Sequence, residues 1–337
     1  MHTKLREILL KKTKIEEIII FPSKFFPGIS FGYSNLCIIT LERRDTQENL
    51  NNWVKIYKGF KSSSEFRFFT SNNTLPNHIE LFKLKQNDIL SNPQHRFIFA
   101  DNKLNSLIKA SKLYLGDMAD VVTGFYTGDN TKFIRVASKS VKGAKNYDVI
   151  DPKLIVDNFS IDGTTDLEEA YIPFIKSASD QRYIRNREDW YVRWDSNTVS
   201  FYKKDRKARF QNSDFYFQTG VGIPMVKSNT IKAFLMQNGL FDQSIVGIFP
   251  KDKSNLKYIL ALMNSDIVNQ IVHIINPTAN NSANYIKLIP YIEPNSAQLN
   301  SINSLVDSIM LAIENKDYDN VESLHHQINA TISDIIL

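Results

Sequence analysis

Between Lys176 and Arg209 the chain carries ten Lys or Arg against five Asp or Glu, a local excess of +5 that equals the formal net charge of all 337 residues. The centre of this segment is KKDRKARF, residues 203–210, and Tyr183, Trp190, Tyr191, Trp194, Phe201 and Tyr202 are interleaved with the charges. Such a mixture can do one kind of chemistry well. Cations attach to phosphates with release of counterions, Arg forks and amides read base edges, and aromatic rings stack on or wedge between bases. The same residues also fit a strand with a solvated charged face and aromatics turned inward, because alternation sends only every second side chain out. Composition leaves both readings open, and most of the aromatics belong to a core in either.

Covalent chemistry has no comparable signature. There is no GxxxxGK[ST] phosphate loop, no HExxH, no GxSxG and no nuclease pattern of Asp followed by a spaced Glu-x-Lys. The only Gly-x-Gly, Gly220–Gly222, precedes Pro224 and reads as a turn. The single cysteine, Cys37, lies in an apolar strand and reads as a buried core thiol, which leaves no disulfide or cysteine–zinc site. His325 and His326 are adjacent on a polar helix and so do not share a face for a metal. With 42% hydrophobic and 23% charged residues the chain can bury a full core. It has no apolar run long enough to span a membrane and no secretion signal. These features predict a cytoplasmic protein, and a pI near 9.0 is compatible with a nucleic-acid partner.

The elements that must position the basic segment are legible in outline. A short helix with Leu5, Ile8 and Leu9 on one face precedes two strands, 15–21 and 35–41, joined by a loop containing Pro22, Pro27, Gly28 and Gly32. Both strands are apolar on both faces, the pattern of strands in the middle of a covered sheet, yet only one short helix stands before them. Residues 44–112 read as a connector. From Leu113 onward, closely spaced turn residues punctuate short strands, among them WYVRWDSNTVSFY at 190–202, FYFQTGVGIPMV at 215–226 and SIVGIFP at 244–250. Apolar residues from Leu256 to Ile271 have helical spacing with a break at Asn264–Ser265. Two apolar stripes, Leu299 to Ile313 and Val321 to Ile335, then predict a C-terminal helical hairpin.

Four stretches carry a resemblance: LREILLKKTKIEEIIIFPSKFFPGISFGYSNLCIITLER, LGDMADVVTGFYTGDNTKFIR, LMNSDIVNQIVHIINPTANNSANYIKLIPY, with Asn264–Ser265 and Pro290 in the expected places, and LHHQINATISDIIL. Together with REDWYVRW they resemble the C-terminal part of adenine-specific DNA methyltransferases with a TaqI-like target-recognition domain, of the restriction–modification and phage-defence type. The likeness covers nearly the whole chain. It implies an α+β fold: the closing helix and antiparallel strands of a Rossmann-like methyltransferase over residues 1–50, a connector over 51–112, a β-rich target-recognition domain over 113–295, and a helical hairpin over 296–337.

The departures from the family are as informative. The family's Gly-rich S-adenosylmethionine loop and its Asn/Asp-Pro-Pro-Tyr/Phe tetrapeptide are both absent, and no two prolines are adjacent anywhere. The resemblance therefore implies no cofactor in this chain. It places S-adenosylmethionine on a missing or partner catalytic polypeptide that carries those elements, without which the chain does not methylate DNA. An aromatic residue in the family's closing-strand loop stacks on the flipped adenine; the matching position here is Phe26, then Phe25, with Tyr33 as a third. Double-stranded DNA is the implied partner. The residues nominated for it are Lys132, Arg135, Lys176, Arg182, Arg185, Arg187, Lys203, Lys204, Arg206 and Arg209, with Asn276, Asn280, Asn281 and Tyr285 from the loop around Pro277. Two other readings stay open: a stand-alone DNA-binding specificity subunit, and an inactive gene fragment.

Overall fold

In a computed structural model the chain is described over residues 3–337, except 23–24, 26–35, 44–49, 93–94, 99–101, 179, 186–188, 229, 238 and 277. It forms two compact units: Met1–Ser111 with His273–Ala279, and Lys112–Val272 with Asn280–Leu337. Helices and strands of both units give the α+β class expected.

The first unit begins with α1 (Thr3–Lys12) and runs directly into β1 (Thr13–Phe21). It continues through β2 (Leu36–Arg43), β3 (Trp53–Lys58), α2 (Ser63–Asn72), β4 (Glu80–Lys85), α3 (Gln86–Ser91) and α4 (Asn102–Ala110). The strands make one sheet in the order β2-β1-β3-β4, with β1 antiparallel to β2 and parallel to β3. On one face Ile15, Ile18, Val54 and Ile56 pack with Leu10 of α1 and Ile89 of α3. On the other, Ile19, Phe21 and Tyr57 pack with Phe60, Phe69 and Ile79. The buried Gln86 amide locks the α1–β1 junction, donating to the carbonyls of Leu10 and Thr13 at 2.7 Å and accepting from Ile15 N–H at 3.0 Å.

Three expectations change here. Residues 51–112 are no mere connector, since they supply two strands and the helices that cover β1. Strand β2 lies at the sheet edge, so Cys37 is exposed rather than a core thiol, and Ile38 and Leu41 are 45% and 41% exposed. Helix α1 buries Leu10 and leaves Leu5 and Ile8 outside.

The second unit opens with α5 (Leu115–Met118), β5 (Ala119–Thr123), α6 (Asn130–Phe133), β6 (Ile134–Val136), β7 (Asp148–Val149), β8 (Tyr171–Ile175), β9 (Trp190–Arg193) and α7 (Ser196–Lys204). Then follow β10 (Gly220–Pro224), β11 (Phe234–Met236), β12 (Leu240–Phe241), β13 (Ile245–Pro250), α8 (Leu256–Asn264), α9 (Asp266–Ile275), α10 (Ala283–Ile286), α11 (Ser296–Glu314) and α12 (Tyr318–Ile336). Two sheets, β11-β10-β13-β5 and β12-β8-β9-β6-β7, contribute to one aromatic core containing Phe125, Phe174, Trp194, Tyr202, Tyr216, Phe234 and Phe241. Helices α11 and α12 form the expected hairpin, and both pack on α8.

The break after α8 has a polar cause. The buried Asn264 amide is spent on Ala233, accepting from its N–H and donating to its carbonyl, both at 3.0 Å. Ser265 Oγ turns back to the Leu262 carbonyl at 2.7 Å. Helices α8 and α9 bend by 72° there, and among the described residues no single helix is long and apolar enough to cross a membrane.

Two local readings are corrected. The 190–202 stretch is a strand followed by a helix, because Asp195 caps α7 by accepting from Thr198 N–H at 2.9 Å. Gly220 and Gly222 lie inside β10 rather than in a turn, where a Cβ would stand 2.7 Å from the rings of Phe249 and Phe234.

Candidate nucleic-acid interface

The helix that Asp195 starts decides how the basic segment is displayed. Lys203 and Lys204 fall in the last turn of α7, where cations complement the helix dipole. The turn that follows is tightened by Asp205, whose Oδ2 accepts from the N–H groups of Lys207 and Ala208 at 3.2 and 3.0 Å. One carboxylate is thereby committed to the backbone. Lys203, Lys204, Arg206, Lys207 and Arg209 are all exposed, so residues 203–209 form a cationic ridge. Lys203 pairs with Asp162 and lies over the Phe210 ring. Arg209 donates to Gln243 Oε1 at 3.3 Å. No ion pair joins Lys204, Arg206 or Lys207 to a carboxylate among the described residues.

The loop of residues 126–133 stands beside this ridge. Tyr126 and Arg209 exchange backbone hydrogen bonds, N–H to O at 3.3 Å one way and 2.9 Å the other. Gly128 has φ of +85° and packs so closely that a Cβ would lie 2.9 Å from Ala208 N, which explains glycine there. Asp129 caps α6, accepting from Thr131 Oγ1 at 2.8 Å and from Lys132 N–H at 3.2 Å, and these bonds, the Thr131 one foremost, hold its carboxyl below the usual carboxylate range. Buried Thr127 donates to Asn130 Oδ1 at 2.8 Å. Between loop and ridge is a groove of about 400 Å³, lined by residues 126–133 with Phe201, Asp205 and Lys207. Lys132 Nζ lies 4.9 Å from the Phe133 ring centre and 5.8 Å from that of Phe201.

The chain shares its fold with part of a restriction–modification enzyme. That structure is the type IIL enzyme MmeI in complex with DNA, with a TM-score of 0.52 and 13% identity over 96% of this chain and 43% of MmeI. The type IIG restriction endonuclease BpuSI also aligns, at a TM-score of 0.35 and 11% identity over 99% of this chain and 45% of BpuSI. At this identity the MmeI likeness is one of fold. This chain spans less than half the length of either. No family profile matches it, and no curated protein does.

The nominated residues fall into distinct groups on this frame. Of the nominated residues Lys132 lines the groove, whereas Lys203, Lys204, Arg206 and Arg209 lie on the exposed ridge whose Asp205 and Lys207 form its other side. Arg135 is half-buried, donates to the Lys132 and Ile134 carbonyls at 3.1 and 3.0 Å, and lies 5.5 Å from the centre of the Tyr171 ring. Lys176 is turned inward, its Nζ 3.5 Å from Oδ2 of the buried Asp242, so its charge is used within the fold. Arg182 has a buried Nε with no hydrogen-bond partner among the described residues, and Arg185 is half-buried. Asn276 is buried in the first unit, accepting from Thr278 N–H and Oγ1 at 3.0 and 2.7 Å. Asn281 is buried too, donating to the Pro224 carbonyl at 3.0 Å, whereas Asn280 is exposed and Tyr285 is half-buried on α10. Phe25 fills the core of the first unit, 4.4 Å from Phe21 by ring centres, which withdraws it from stacking on a base. Phe26, Tyr33, Arg187 and Pro277 lie outside the described residues.

Sequence reasoning passed over Lys207, Asn130 and the exposed ring of Phe201. The signal for all three was local: the GDNT cap and the DSNT cap each announce a helix start, and the second moves Phe201 from a strand face to a helix beside the ridge. The lone Gly-x-Gly is packed under aromatic rings, and among the described residues no cluster of His, Cys, Asp or Glu could hold a metal.

Proposed function

We propose that this chain is the DNA sequence-recognition portion of an adenine-specific DNA methyltransferase of the restriction–modification or phage-defence type, with a TaqI-like recognition domain. The observation that carries the reading is the ridge at 203–209, five cations whose one carboxylate is occupied by backbone amides, displayed beside a rigid loop. The MmeI fold likeness supports it. Lys204, Arg206, Lys207 and Arg209 attach to phosphates and set the register of the duplex, while sequence is read by side chains that reach base edges.

Methyl transfer needs the donor held in line with the target amino nitrogen, and the sequence lacks the Gly-rich loop and the Asn/Asp-Pro-Pro-Tyr/Phe tetrapeptide that do this in the family. A catalytic polypeptide with both elements supplies them. Among the described residues the outer edge of β2 is unpaired, and Ile38 and Leu41 are exposed on it, which supports such a partner. The reading of a stand-alone specificity module has its own support, because β3 and the helices of residues 51–112 already cover β1.

Selection of duplexes from a randomised library, followed by gel shift at 50 and 200 mM salt, tests the recognition role. About four phosphate contacts predict a slope near −3.6 and on the order of a hundredfold weakening over that range for every sequence. Failure to enrich any sequence refutes it. Co-expression with the catalytic polypeptide and labelled S-adenosylmethionine tests partner dependence; no incorporation into plasmid DNA leaves the stand-alone module.

A further inference from the structure

We infer that the groove between residues 126–133 and α7 binds one unpaired nucleotide, its base stacked on Phe201 and its phosphate met by Lys132 and Lys207. The inference rests on the DNA-binding reading above and adds a ligand class to it. Three observations meet at the groove.

First, Phe201 is 44% exposed although the next residue, Tyr202, is buried. An exposed aromatic ring inside a concavity cannot reach a base within an intact duplex. It can stack only on a base that has left the helix or was never paired.

Second, the groups around that ring complement a nucleotide. Lys132 and Lys207 make no ion pair among the described residues. Asn130 Oδ1 is occupied by Thr127, which turns the amide and leaves Nδ2 as a donor for an acceptor on a base edge. The volume of about 400 Å³ lies in the range of small-ligand sites and is far too small for a duplex.

Third, the walls are preformed. The paired backbones of Tyr126 and Arg209, the Asp129 cap, the Asp205 turn and the close approach of Gly128 to Ala208 fix both sides before any ligand arrives. Little ordering entropy is left for binding to offset.

The test uses the full chain and two DNA duplexes of one sequence, one fully paired and one with a single bulged 2-aminopurine, whose fluorescence falls when it stacks. The expected result is binding of the bulged duplex on the order of tenfold tighter than the paired one, with quenching of the probe. Phe201→Ala should abolish both the preference and the quenching while keeping the paired-duplex affinity and the melting curve. Phe201→Tyr should retain them. Equal affinity for the two duplexes, or a preference that Phe201→Ala leaves intact, overturns the inference and spares the recognition role. Binding of the bulged but not the paired duplex supports the inference and refutes duplex recognition. Binding of neither refutes both.

Discussion

The hydroxyl of Tyr183 and Nδ1 of His325 lie 2.8 Å apart, 142 residues distant in sequence and both buried. The tautomer follows from the neighbours. Asn329 Oδ1 accepts from Asp266 N–H at 2.8 Å, so its Nδ2 must face Asp266 Oδ2 and His325 Nε2, both at 3.2 Å. Nε2 therefore accepts, and Nδ1 carries the proton and donates to Tyr183. Tyr183 is held with φ of +71°, an uncommon conformation for an aromatic residue, and it exchanges backbone hydrogen bonds with Ala233 and Leu235. Helix α12 thus fixes the backbone next to Arg182. Replacing Tyr183 by Phe strands the His325 N–H in the interior and should cost about 1–3 kcal/mol in denaturant unfolding.

The same histidine makes stability depend on pH. Desolvation, chiefly, and then the Arg182 charge lower the His325 pKa below its ordinary 6.5, while Asp266 and Glu322 oppose the shift and His326 adds to it. A histidine depressed in the folded state binds its proton more readily when unfolded. The stabilisation is therefore present above pH 6.5 and is lost as pH falls through the lower folded value. Unfolding midpoints at pH 7.5 and pH 5 should show that loss in the native protein and a smaller one in His325→Gln.

Lys176 and Lys204 should separate structure from DNA binding. Lys176→Met leaves the Asp242 carboxylate buried without its cation and should cost about 3 kcal/mol of stability. Lys204→Gln should leave the melt unchanged, weaken DNA binding for all sequences alike, and reduce the salt slope by about 0.9. A gel-shift salt titration beside a thermal melt reads both.

Gly124 is irreplaceable for a steric reason. A Cβ there would stand 2.1 Å from the Phe241 carbonyl oxygen and 2.6 Å from that of Asp242, both backbone atoms that cannot yield cheaply. Gly124→Ala should destabilise the second unit by about 3 kcal/mol or more, visible as a lowered first unfolding midpoint.

Cys37 offers a direct probe of the β2 edge. Exposed in this chain, it should react with one equivalent of a thiol reagent in the native protein. Residual desolvation raises its pKa, so labelling should quicken markedly from pH 7 to pH 9. Protection on addition of the catalytic polypeptide would mark this edge as the seam.

Sequence alone determined what depends on near neighbours. The first two strands, the break at Asn264–Ser265, the two stripes of the C-terminal hairpin and the charge excess at 176–209 all follow from residues a few positions apart, and each is found where expected. Even the misread stretch 190–202 held its correction locally, in the capping Asp195. The tertiary structure decided what depends on distant partners. It placed β3 beside β1, so that a segment with weak periodicity covers a strand that had no cover of its own, and it left β2 and Cys37 at the edge. It also sorted the cations: Lys176 was drawn in by Asp242, 66 positions away, whereas Lys204, Arg206 and Lys207 stayed out. The charge of a lysine is written in the sequence. Whether water or a buried carboxylate surrounds that charge is a matter of long-range packing, and desolvation strength depends on those neighbours rather than on residue type.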